Sequence, residues 1–127
     1  MKVYVLGNPL VKKDKVAFKV MEILKKKMRE VSFFEFDPIE DIEEKNPVFI
    51  DTVENLDRVR EIGLDELEIK KRYSLHDFGL EHLLTILKKL GKINKVRIIG
   101  IPSNYDPNKA AKEVEVILKS ILTSEND

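Results

Sequence analysis

The stretch "VYVLGNPLVKKDKVAFKVMEIL", Val3–Leu24, sets the fold class. "VYVL" is a short, wholly apolar run, as expected of a strand buried on both faces of a sheet. Gly7, Asn8 and Pro9 then turn the chain. From Asp14 onwards Val16, Val20, Leu24 and Met28 recur at helical spacing, with Ala17, Met21 and Ile23 widening the stripe. Lys25, Lys26 and Lys27 near the end of that helix suit the negative pole of its dipole. One acid, Asp14, stands among Lys12, Lys13 and Lys15 where the helix begins.

The same grammar continues along the chain. "VSFFEF" (Val31–Phe36) reads as a second strand, stopped by Asp37 and Pro38. The acidic connection to Asn46 carries no glycine and is expected at the surface near the sheet edge, mobile, without building a groove. "PVFIDTV" (Pro47–Val53) is a third strand with Asp51 near its end. The charge-dense part from Glu54 to Tyr73 is less regular, and "LDELEIKKRY" within it alternates as an edge strand would. "GLEHLLTILKKLG" is a helix whose buried stripe is Leu80, Leu83, Leu84, Leu87 and Leu90, with Gly91 placed for a C-cap. His82 lies between the stripe positions, as a solvated surface residue would. "KVRIIGI" (Lys95–Ile101) is another buried strand. The last helix has Asp106 as N-cap, Pro107 at its first position and a core face of Val114, Ile117, Leu118 and Ile121. The tail "TSEND" is expected to fray. Strands alternating with helices predict one domain over residues 1–127, a three-layer α/β/α sandwich with a mostly parallel sheet.

Composition narrows the function classes. The chain has 23 basic and 23 acidic residues, so neither nucleic acid nor an acidic membrane surface is an expected partner. Without cysteine there is no thiolate nucleophile, no disulfide and no Cys-based metal site. No apolar run approaches a membrane span and the N-terminus does not read as a signal peptide, so the expected location is the cytoplasm. Abundant lysine and glutamate lean towards a thermophilic source.

In an open α/β sheet ligands sit outside the carboxyl ends of the strands. Asp14 follows the first strand, Asp51 ends the third, and His76 in "SLHDFGL" precedes a helix, so all three can converge at one end of the sheet. Two carboxylates and an imidazole suit a divalent metal with coordination positions left for substrate. Each residue also has a plain structural reading. Asp14 can be a first-turn acid favoured by the helix dipole, Asp51 a turn residue accepting backbone hydrogen bonds, and His76 part of a cap. Other motifs are poorer. "GNP" lacks the second and third glycines of a dinucleotide loop, "KKDK" is not a P-loop, and no serine has a nucleophile-elbow context. No small-molecule cofactor is expected.

Over nearly its whole length the chain resembles the nickel–iron hydrogenase maturation endopeptidases, which clip the C-terminal tail from the hydrogenase large subunit after nickel insertion. "VYVLGNPLVKKDKVAFKVMEIL" is similar to the family's first strand, Gly-Asn loop and first helix. "VFIDTV" resembles its strand ending in a metal-binding Asp, "SLHDFGLEHLLTILKKLG" its His segment and leucine-rich helix, and "KVRIIGIP" its late strand. The resemblance implies that Asp14, Asp51 and His76 are metal ligands that read the nickel of the immature subunit. It also implies nickel as the metal, resident or delivered by substrate, and the hydrogenase large-subunit precursor as partner.

Several positions depart from the family pattern. The usual glycine two places before Gly7 is Val5, and the first acid of the family's acidic pair is Lys13. The glycines that usually follow are Lys15 and Ala17, and the glycine-rich turn after the second strand is "FDPIEDIEEKN". Two expectations follow: a metal-dependent endopeptidase, or a non-catalytic docking or accessory module for hydrogenase assembly derived from that family.

Overall fold

The computed structural model describes residues 1–37, 42–63, 66 and 80–126, with residues 80–83 and 125–126 by their backbone. Five strands form one sheet: β1 (Lys2–Val5), β2 (Ser32–Glu35), β3 (Val48–Val53), β4 (Arg60–Ile62) and β5 (Arg97–Pro102). Their order across the sheet is β2-β1-β3-β5-β4. The β1–β2, β1–β3 and β3–β5 pairs are parallel, and β4 runs antiparallel to β5. Helices α1 (Lys15–Lys27), α2 (Leu80–Lys89) and α3 (Pro107–Asn126) complete the described elements, with a 3-10 turn at Lys12–Asp14 leading into α1.

The apolar runs explain the layering. All six residues of β3 are buried, as a central strand covered on both faces requires. Side chains alternate along a strand, so β3 serves two cores. Val48 and Ile50 join Val16, Val20 and Leu24 of α1 and Val114 and Leu118 of α3. Phe49 and Val53 join Tyr4, Leu6, Ile98 and Leu84 of α2 on the other face. The mostly parallel three-layer architecture expected from the pattern is the one observed. On the second face Tyr4, Phe36 and Phe49 form an aromatic cluster with ring centroids 5.6–5.9 Å apart, mostly in edge-on geometry favoured by ring quadrupoles.

The expected caps form. The Asp106 carboxylate accepts the Lys109 N–H at 3.1 Å at the start of α3. At the end of α2, Gly91 has φ +74°. Its N–H donates to Lys88 O at 3.1 Å and that of Lys92 to Leu87 O at 3.0 Å, a Schellman ending.

Three expectations need correction. Leu90, assigned to the buried stripe, is 65% exposed, because the Schellman turn ends the helix at Lys89 before that position can face the core. The tail, read as irregular, is helical through Asn126, and Asp127 lies outside the described residues. The observed antiparallel edge strand is Arg60–Ile62, within the part read as irregular. Two of its three residues are charged, and its backbone partner β5 is remote in sequence, so it leaves almost no local pattern. The strand expected at Leu64–Tyr73 lies, except for Glu66, outside the described residues. The described part of the acidic connection is bonded to β1 and to the residues just before β5. Tyr4 Oη donates to Glu44 at 2.5 Å, Lys45 O accepts Asn94 N–H at 2.6 Å, and Asn46 Oδ1 accepts Lys95 N–H at 3.0 Å. With Met1, Lys2 and Val48 it lines an open hollow. That hollow is at the opposite end of the sheet from Asp14 and Asp51. Pro38 to Asp41 lie outside the described residues.

Candidate functional site at the strand switch point

From β1 the chain passes through α1 to β2 on one side and returns as β3 on the other. The connections therefore diverge at the carboxyl ends of β1 and β3, which is where sheets of this kind bind ligands. The last bond of the β1–β3 ladder is Leu6 N–H to Ile50 O at 2.8 Å. Gly7 then turns the chain away with φ +110°, a region that side chains rarely adopt. A tight loop follows. Asn8 accepts the Leu10 N–H on Oδ1 and the Val11 N–H on its backbone O, both at 2.9 Å. Its own N–H donates to Asp14 Oδ2 at 3.0 Å. The Asp14 carboxylate, 1% exposed, thus rests on the turn at Gly7, where a Cβ would fall 2.9 Å from Oδ2. Gly7→Ala combines backbone strain of about 1–3 kcal/mol with that overlap. It is expected to lower the melting temperature and to shift the Asn8 amide resonance, because Asp14 must move.

Asp14 ends the 3-10 turn and enters α1 with a helical backbone, φ −94° and ψ −4°, and its side chain makes no capping hydrogen bond. The first-turn reading of this acid is correct about its place and incomplete about its carboxylate. Thr52, on β3 and 4% exposed, supplies the cap instead. Its Oγ1 accepts the Ala17 N–H at 3.3 Å and donates to Asp14 O at 3.4 Å. Alternation puts Thr52 on the α1 face with Val48 and Ile50.

Asp51 precedes Thr52 and so belongs to the opposite face, with Phe49 and Val53. It lies within β3, opposite Gly100 of β5, and is fully buried. Its place in the ladder sets aside the turn-residue reading. Gly100 leaves room for Leu56, whose Cδ1 lies 2.7 Å from where a Cβ would sit, so Leu56 closes over the sheet beside Asp51. Just past β3, Asn55 adopts φ +64°, tolerated by Asn more readily than by most residues. Lys13 Nζ reaches Glu54 Oε1 at 3.7 Å, joining the loop after β1 to the turn after β3. Both partners are about half exposed, and pairs of this kind contribute little to stability.

The structure therefore brings two of the three expected residues, Asp14 and Asp51, to the same end of the sheet, both buried. His76 lies outside the described residues, as do the structural surroundings of its segment; the side chain of His82 does too. Among the described residues no cluster of three His, Cys, Asp or Glu is disposed to hold a metal. Two participants were not read from the sequence. Thr52 was visible only as a β-branched hydroxyl residue in a strand, and Glu54 as one acid among many.

No family model matches the sequence, and no curated protein sequence matches it. Solved structures do match its shape. The NiFe hydrogenase maturation protease HybD from Thermococcus kodakarensis is similar over 96% of this chain and 99% of its own, at TM-score 0.60 and 24% identity. The fold is that of the hydrogenase maturation proteases. A second example, a hydrogenase 3 maturation protease, covers 90% of this chain and 86% of its own at TM-score 0.62 and 18% identity. The hydrogenase 2 maturation peptidase of a Thaumarchaeota archaeon covers 95% and 98%, at TM-score 0.57 and 24% identity. The maturation-protease fold thus extends over nearly the entire chain, including the switch point where Asp14 and Asp51 lie. Among the described residues no helix is long and apolar enough to cross a membrane.

Proposed function

We propose that this chain is an endopeptidase that removes the C-terminal tail of a nickel–iron hydrogenase large-subunit precursor after nickel insertion, using Asp14, Asp51 and His76 towards the metal. The observation that carries the reading is a pair of buried carboxylates at the ligand-binding end of a fold shared with maturation proteases. Their anionic oxygens with an imidazole are a donor set suited to nickel or a similar divalent ion. On this reading the three side chains bind nickel itself, whether it is resident or delivered by the precursor.

The chain's own residues supply binding and orientation. Asp14 would contribute a carboxylate whose Oδ2 is held by the Asn8 N–H. Asp51 would contribute a second from the rigid central strand, and His76 a neutral nitrogen. A divalent ion at such residues polarises a carbonyl or activates a water. Hydrolysis then adds water across one peptide bond, leaving a new carboxylate on the precursor and an amine on the released tail.

A second reading, a docking or accessory module without cleavage, is favoured by Lys13. Where the family resemblance places an acid, this chain has a lysine, ion-paired to Glu54. Incubation with a nickel-loaded large-subunit precursor, followed by mass measurement of its C-terminus, separates the two. The peptidase reading expects loss of a defined tail, no cleavage by His76→Ala, and loss of nickel binding in that variant. A precursor bound tightly but left at full mass by the parent chain would put the docking reading ahead.

A further inference from the structure

We infer that the loop from Pro9 to Lys15 is a docking surface for a segment of the precursor that combines an apolar residue with acidic ones. The identity of the partner rests on the proposed function, which names the same precursor in both its readings. The chemistry of the surface rests on the loop alone. Among the described residues Leu10 is the most exposed large apolar side chain, at 89%. A leucine in water is ordinary by itself, but the backbone beneath this one is fixed. The Leu10 N–H donates to Asn8 Oδ1 and the Val11 N–H to Asn8 O, both at 2.9 Å. The Asp14 N–H closes the turn on Val11 O at 3.0 Å, and the Asn8 N–H is held by the Asp14 carboxylate. The leucine is therefore presented from a braced loop, which loses little freedom when a partner covers it.

Cations follow directly on that apolar tip. Lys12, Lys13 and Lys15 are exposed, while the acid in their midst, Asp14, is buried. The chain as a whole is neutral, so this charge is a property of the loop. Among the described residues neither Lys12 nor Lys15 has an acid within ion-pair distance. Lys13 reaches Glu54 only at 3.7 Å, with both side chains about half exposed. A pair so solvated exchanges partners at little cost. Three like charges on one short loop repel each other, and an acidic partner relieves that repulsion.

Position ties the surface to the candidate site. The loop leaves the carboxyl end of β1, and Glu54 follows the carboxyl end of β3, its neighbour in the sheet. The Lys13–Glu54 pair thus crosses the switch point at the end of the sheet where Asp14 and Asp51 lie. A peptide brought to those carboxylates passes the leucine and the lysines. Lys13 then has a task other than holding a metal: it takes a carboxylate of the partner in exchange for Glu54.

The test reads binding of the nickel-loaded large-subunit precursor to the full chain by calorimetry, at low and high salt. Leu10→Ser should bind about tenfold more weakly, the loss expected when a leucine no longer contributes apolar area to a contact. Its melting temperature should equal that of the parent, because the side chain is in solvent. The double variant Lys13→Glu with Glu54→Lys keeps an ion pair across the crevice and reverses its direction. It should bind about three- to tenfold more weakly and lose part of the salt dependence of the parent, whereas a purely structural clasp is indifferent to direction. Parent-strength binding by either variant overturns the inference and leaves the proposed function standing. If the parent binds no precursor, the proposed function falls, and peptides decide the surface. A synthetic glutamate-rich peptide with one leucine should shift the Leu10, Val11 and Lys13 amide resonances, and its lysine-rich counterpart should leave them in place. Unmoved resonances overturn the inference. Shifts that appear on concentrating the chain alone do so as well, in favour of a second copy as the occupant.

Discussion

Asp51→Asn is expected to abolish nickel binding and any cleavage of the precursor while the melting temperature moves little. The substitution keeps the shape of the side chain, removes its charge and replaces one acceptor oxygen by an NH2 group. Fully buried beside Phe49 and Val53, an amide of the same volume keeps the packing of the sheet's centre. A residue retained for packing would give the opposite pattern, with binding unaffected and stability lowered. Calorimetric nickel titration beside a thermal melt reads both quantities. If Asp51→Asn binds nickel as tightly as the parent, the metal reading of the switch point is wrong.

Phe49→Ala, two residues earlier on the same strand face, should do the reverse. Phe49 is fully buried and packs against Tyr4 at 5.6 Å and, edge-on, against Phe36 at 5.8 Å. Truncating a buried phenylalanine costs about 3–5 kcal/mol through lost transfer energy and the cavity left behind. In a chain of this size that corresponds to a fall on the order of 10–20 °C in melting temperature. Whatever fraction remains folded should still bind nickel, since Asp51 faces the same core without depending on the ring for its donor atoms. A melting temperature within a few degrees of the parent would mean that the aromatic cluster repacks and does not anchor the second face.

The contrast between these two positions shows what local sequence can and cannot encode. "VYVL", "PVFIDTV" and "RIIGI" are apolar throughout because central parallel strands are covered on both faces. Composition alone thus identified them, and with the helical stripes of Val16–Leu24 and Val114–Ile121 it determined the layered fold. The caps at Asp106 and Gly91 were legible for a similar reason: they are bonds between residues a few positions apart. Asp14 and Asp51 could be named as candidates because residues at the carboxyl ends of strands gather at one end of such a sheet.

Contacts made across long sequence separations were not legible. Arg60–Ile62 is a strand because β5 offers it backbone partners some 38 residues away, not because of any pattern of its own. Leu90 continues a periodicity that the chain no longer follows once Gly91 ends the helix. The role of Asp14 was the most dependent on tertiary structure. Its sequence neighbourhood suggests a first-turn acid, but its carboxylate accepts the Asn8 N–H, and the Ala17 N–H goes to Thr52, 38 residues from Asp14. Sequence by itself determined which groups reach the end of the sheet, since burial and periodicity are local properties. Tertiary structure decided which bond each group makes there, because hydrogen-bond partners compete in space and distant residues can win.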